Sequence, residues 1–140
     1  MMGHCGDVCD YCPRYTATKS GDMEKLKEAA ALWYKAGLRP RILTPEEIKC
    51  GGCSPEACPS GIAGCSSGKG LNNCGECSDY PCPLLQSRFD KIPELSEKWK
   101  NLFSKEQYEL GFKAFWQKKE NLDRVHKRFL RKSTPPNTFL

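Results

Sequence analysis

Apolar side chains recur at helical spacing in two parts of this chain, on either side of a stretch that Gly and Pro interrupt. Met23, Leu26, Ala30 and Trp33 follow one another at intervals of three and four, which predicts an amphipathic helix over 22–36. Ser20 or Asp22 caps its start, and Gly37 ends it in a left-handed conformation. Thr44-Pro45-Glu46-Glu47 has the form of a capping box, with proline at the first helical position and Glu47 reaching back to Thr44. The short helix it opens leads into Cys50. Across 49–83 no element longer than a turn or two is expected. Beyond Cys82 the pattern predicts helices over 83–89, 93–103 and 105–131, the last and longest capped by Ser104 with Gln107. That last helix carries an apolar stripe of Phe112, Phe115, Trp116, Leu122, Val125 and Phe129, with Lys and Arg on the opposite face.

These stripes do not amount to a large core. Leu, Ile, Val and Phe together number 25 of 140 residues, below the roughly 20% at which a charged chain ceases to fold on burial alone. The chain is too short for a large enzyme barrel, and no apolar run approaches the ~18 residues of a membrane span. Its first residues, Met1-Met2-Gly3-His4-Cys5, have neither the basic start nor the apolar stretch of a signal peptide. A cytoplasmic, reducing location is expected. There, the 10 cysteines are metal ligands before they are disulfides.

Three segments carry paired cysteines: Cys9-Asp-Tyr-Cys12, Cys50-Gly-Gly-Cys53 and Cys74-Gly-Glu-Cys77. Two intervening residues let a tight knuckle aim both sulfurs at one metal, at about 2.3 Å from each. An internal repeat reinforces the pattern: Cys50-x-x-Cys53-x4-Cys58-Pro59 aligns with Cys74-x-x-Cys77-x4-Cys82-Pro83. Cys65 stands between the copies, and Cys5 precedes the first pair. Ten thiols exceed two four-ligand sites and fall short of three, so the expectation is two zinc sites using eight cysteines, with two to spare. Pairing Cys50 and Cys53 with Cys74 and Cys77 would resemble a zinc ribbon. Cys9 and Cys12 would then join two of Cys5, Cys58, Cys65 and Cys82.

Thiolates alone do not separate zinc from iron, so an iron–sulfur cluster is the alternative cofactor. Cys5-x3-Cys9-x2-Cys12 has the spacing by which radical S-adenosylmethionine enzymes hold a cluster. The barrel of roughly 200 residues that such enzymes need is absent.

In their order, three strings are informative beyond spacing: Cys5-Gly6-x-x-Cys9-x-x-Cys12-Pro13-x-Tyr15-x-Ala17-Thr18, Ile48-x-Cys50-x-Gly52-Cys53, and Asn73-Cys74-x-x-Cys77-x-x-Tyr80-Pro81-Cys82. They resemble a family of small cysteine-rich bacterial and archaeal proteins of unknown function associated with zinc. The resemblance covers residues 3–90 and implies a metal-bound domain without implying an activity. Where the family has C-x-I-R-x-C, this chain has Ser60-Gly-Ile-Ala-Gly-Cys65, and Cys58 stands in for the missing first cysteine.

Charge divides the chain differently from apolar pattern. Residues 100–140 hold ten Lys and Arg against four Asp and Glu, while the first 99 hold twelve against thirteen. The organisation expected is a cysteine-rich metal module over 1–88, a basic helical segment over 89–132 packed on it, and a disordered tail over 133–140. The fold class is an irregular, α-rich small metal-binding domain, with cysteine knuckles braced by helices and a C-terminal helical segment. No catalytic constellation emerges: the histidines are His4, beside a cysteine, and His126, on the basic helix. A four-thiolate zinc leaves no position open for water or substrate. The expected function is therefore binding, as an adaptor for a protein partner. Nucleic acid is the alternative partner, through Arg124, Lys127 and Arg128.

Overall fold

The computed structural model describes residues 2–54 and 60–133. Cys58 and residues 134–140, nearly all of the expected tail, lie outside the described residues. The described chain is helical: α1 (Pro13–Ser20), α2 (Met23–Lys35), α3 (Pro45–Ile48), α4 (Ile62–Gly68), α5 (Pro83–Asp90), α6 (Ile92–Leu102), α7 (Lys105–Gly111) and α8 (Lys118–Ser133). No strand forms among the described residues, and Met2 and Val8 make an isolated bridge. None of the described helices is long and apolar enough to cross a membrane.

Local signals account for most helix starts. Asp22 caps α2 by accepting from the Glu24 N–H, and Gly37, at φ +77°, takes the left-handed turn after its end. Both halves of the capping box form at α3, between Thr44 and Glu47, and again at α7, between Ser104 and Gln107. Proline following cysteine opens α1 at Pro13 and α5 at Pro83, where a missing N–H costs nothing. The same Cys-Pro signal foreshadows α1, which hydrophobic spacing alone does not predict. Helix α4 has weak local support, being Gly- and Ser-rich. It is held by burial of Ile62, Ala63 and Ser66.

The expected single helix over 105–131 is broken. Phe112–Trp116 widens into a π-helical turn between α7 and α8. In an unbroken α-helix, adjacent residues point 100° apart, yet Phe115 and Trp116 both reach Trp99, with ring centroids 5.8 and 5.7 Å away. The Ala114 carbonyl in this turn accepts from the Val8 N–H at 2.9 Å, which ties the first cysteine segment to the C-terminal helices.

Three small cores replace one large one. Ala17, Leu26, Ala29, Ala30, Trp33 and Ile48 join α1, α2 and α3, with Phe115 packed against them. Ile62, Leu85, Phe89 and Leu122 form the second, and Ala36, Trp99 and Trp116 the third. Each draws on residues from both the cysteine-rich part and the C-terminal helices. Burying a side chain such as Leu26 or Leu122 contributes about 1.5–3 kcal/mol, and few are available.

Candidate metal centre

Two of the three cysteine pairs adopt one local geometry. Cys9–Tyr11 and Cys74–Glu76 are single 3-10 turns, closed by the Cys12 N–H on the Cys9 carbonyl at 3.0 Å and the Cys77 N–H on the Cys74 carbonyl at 3.1 Å. Asn73 caps the second turn through its side chain, which accepts from the Gly75 N–H at 2.9 Å. Cys50 and Cys53 have no such turn. Their segment is held instead by the Cys50 N–H on Thr18 Oγ1, at 2.9 Å.

Tertiary structure sorts the thiols into two groups, and the grouping differs from the ribbon-like expectation. Cys9 and Cys12 face Cys50 and Cys53 around one cavity, which Cys5 also lines. Cys74 and Cys77 face Cys65 and Cys82 around a second, smaller cavity. Cys50 and Cys53 therefore lie with Cys9 and Cys12 rather than with Cys74 and Cys77. The physical reason lies in the helices between them: α1 and α2 pack on α3, and this brings the segment after α3 beside the first knuckle. The paired cysteines of the two repeat copies, Cys50 with Cys53 and Cys74 with Cys77, sit in separate groups. Cys58 lies outside the described residues.

Burial dominates the acidity of Cys5, Cys9, Cys12 and Cys74. It pushes Cys12 and Cys74 up to about 11, against backbone donors that favour the Cys12 thiolate. Cys9 is also raised, first by burial and then by Cys50. Cys74 feels Cys82, Cys65 and Cys77 in turn, and last Cys53 of the other group. Burial also raises Cys5, and the Asp7 carboxylate raises it further.

Among the described residues, no three His, Cys, Asp or Glu side chains converge closely enough to hold a metal ion as they stand. The donor chemistry nevertheless suits one. Neutral S–H groups have no electrostatic reason to converge and thiolates repel one another, whereas a divalent cation reverses both effects. Cys9, Cys12, Cys50 and Cys53 would hold one ion and Cys65, Cys74, Cys77 and Cys82 the other.

Polar groups tie the two groups together. The His4 N–H donates to Cys53 Sγ at 3.4 Å, and its carbonyl accepts from the Cys74 N–H at 2.9 Å. The His4 ring instead pairs through Nδ1 with Ser66 Oγ, at 2.8 Å. Lys69 Nζ reaches Cys77 Sγ at 3.3 Å and Asp79 at 3.4 Å. His126 is a packing residue: its Nδ1 meets the Gly75 carbonyl at 2.9 Å, and its ring lies 4.7 Å from that of Tyr80.

Residues 1–87 match the family described as Protein of unknown function (DUF3795). The chain belongs to that family. No curated protein and no solved structure matches it. The DUF3795 match spans both cysteine groups and ends inside α5, so α6, α7 and α8 lie beyond it. In this family member, those helices complete the surroundings of both groups. Tyr80, in the second cysteine loop, donates its hydroxyl to Asp123 of α8 at 2.5 Å. Asn121 Nδ2 donates to the Gly6 carbonyl at 3.1 Å, and Lys118 pairs with Asp7 at 3.0 Å.

Proposed function

We propose that this protein is a zinc-binding protein in which two four-cysteine sites stand in for a missing core, and that it acts as a cytoplasmic binding or adaptor module. One observation supports this above others: five cysteines line one cavity and four another, from segments up to about forty residues apart, around knuckle turns at Cys9–Tyr11 and Cys74–Glu76. A closed four-thiolate zinc supplies cross-linking and no open coordination position. Its apparent binding free energy, on the order of 10–16 kcal/mol, matches the whole stability of an ordinary domain at about 5–15 kcal/mol. Three cores of six, four and three buried residues would otherwise carry the fold alone.

Metal analysis of anaerobically purified protein tests the proposal, with two zinc ions per chain and a colourless solution expected. Brown protein containing iron and sulfide would replace zinc with an iron–sulfur cluster carried for redox or delivery. Strong chelation under reducing conditions should abolish the helical circular-dichroism signal, and a native spectrum after complete metal removal would overturn the structural role.

A second reading, nucleic-acid binding, is favoured by the surface of α8. Leu122 is buried in the second core while Arg124, Lys127 and Arg128 are exposed. Phosphate contacts made there would weaken steeply with salt. Binding that survives replacement of all three by Gln, or that ignores salt, would exclude this partner.

A further inference from the structure

The cavity beside the first cysteine group has about 330 Å³ of space, within the roughly 300–1,000 Å³ of small-molecule sites. We infer that it binds a small organic anion, with the charged head at Arg88, Arg39 and Arg14 and a flat apolar body against the tryptophan rings. The inference does not depend on which metal the cysteines hold.

Two observations converge on that ligand class. The first is unbalanced charge. Asp7, the one carboxylate lining the cavity among the described residues, has its Oδ1 3.0 Å from Lys118 Nζ as an ion pair, without a hydrogen bond to it among those residues. The lining guanidiniums of Arg14, Arg39 and Arg88 are left without a carboxylate. Arg14 is partly engaged, donating to the carbonyls of Ile48 at 2.5 Å and Lys49 at 3.2 Å, and Arg39 donates to Leu38 at 2.7 Å. Arg88 has no hydrogen-bond or ion-pair partner among the described residues. Burial and the neighbouring Arg14 charge both make the Arg39 guanidinium easier to deprotonate, as expected of like charges gathered without a counter-ion.

The second observation is shape and polarity. Trp99 and Trp116 are 1% and 8% exposed, and both line the cavity. The rings of Trp33, Trp99, Phe115 and Trp116 provide apolar wall beside the arginines, the combination by which such sites hold a body and orient a head.

The arginines have a competing use. Four thiolates closed on a divalent cation carry a net charge of about −2, which would draw on two of the three guanidiniums. One guanidinium remains unaccounted for, and the head group of an anion answers it.

The experiment is a titration of the full-length, ¹⁵N-labelled protein as purified, reading the indole N–H signals of its 3 tryptophans. Benzoate and phenyl phosphate are the probes, and benzyl alcohol is the neutral control. Saturable movement of the Trp99 and Trp116 signals is expected with at least one acid, and the tighter acid identifies the head group. Benzyl alcohol should leave them in place. Arg88→Gln, which removes no bond seen in the fold, should weaken binding by about tenfold or more. Lys132→Gln, on the exposed end of α8, should bind as the parent does. The inference is overturned if neither acid gives a saturable shift up to about 10 mM, if benzyl alcohol acts equally, or if Arg88→Gln binds unchanged.

Discussion

Gly6 sits where the first cysteine loop meets the start of α8, and replacing it by alanine tests whether the C-terminal helices are part of the fold. Its φ is +92°, and a Cβ there would lie 2.6 Å from the Lys118 carbonyl oxygen, 2.9 Å from Leu122 Cγ and 3.0 Å from Lys118 Cα. Two of these atoms are helix backbone, so the collision cannot be relieved by turning a side chain. Gly21 supplies the control: it too has positive φ, +69°, but a Cβ would meet nothing within 4 Å among the described residues. Alanine costs about 1–2 kcal/mol for conformation at either position. Gly6→Ala adds about 1–3 kcal/mol of overpacking, for a total near 2–5 kcal/mol. Urea unfolding followed by circular dichroism, at fixed zinc concentration and with slopes compared, reads the difference. Equal losses in the two variants would refute the docking of α8 on the Cys5–Cys9 loop.

Further outcomes concern the site and its supports. Cys9→Ser and Cys77→Ser should each lower the zinc count from two ions to one, while Cys5→Ser keeps both; gel-filtered protein with metal analysis decides, and loss of both ions from one substitution would merge the groups. Tyr80→Phe removes the 2.5 Å bond to Asp123 and should cost about 1.5–3 kcal/mol, as for hydrogen bonds to charged partners. An unfolding midpoint unchanged in urea would place α8 elsewhere. Glu47 is held down to about 2 from the usual 4.5 by its bond to Arg41 and those to Thr44. Because its folded value is depressed, its contribution is complete above pH 4.5 and is lost as pH falls through about 2. The stability gap between the parent and Glu47→Gln should shrink across that window, and a constant gap would show that the carboxylate's charge is not involved.

Charge also looks different once the thiols are placed. The formal +5 counts every cysteine as neutral. Eight thiolates on two zinc ions would lower it to about +1, with the whole change on the cysteine-rich part. The basic α8 would then face an acidic module of its own chain, as the Lys118–Asp7 pair already illustrates.

Helix boundaries were legible from local chemistry because caps and prolines act within one turn. Asp22, the Thr44–Glu47 and Ser104–Gln107 boxes, and Pro83 after Cys82 mark starts that the fold retains, while α1 lies outside the elements the apolar pattern predicts. The cysteine knuckles at Cys9–Cys12 and Cys74–Cys77 were legible for the same reason: two residues between thiols close a 3-10 turn. Three features were not. Helix α4 depends on burying Ile62 and Ala63, the π-turn at Phe112–Trp116 on bringing two adjacent rings to Trp99, and the grouping of Cys50 and Cys53 with Cys9 and Cys12 on how α1, α2 and α3 pack. Sequence by itself determined that this chain is helical, cysteine-knuckled and short of core, since composition and i-to-i+4 chemistry carry that information. Which thiols meet, and which arginines and indoles surround them, only the tertiary structure decided, because those neighbours come from segments whose separation along the chain says nothing of their distance in space.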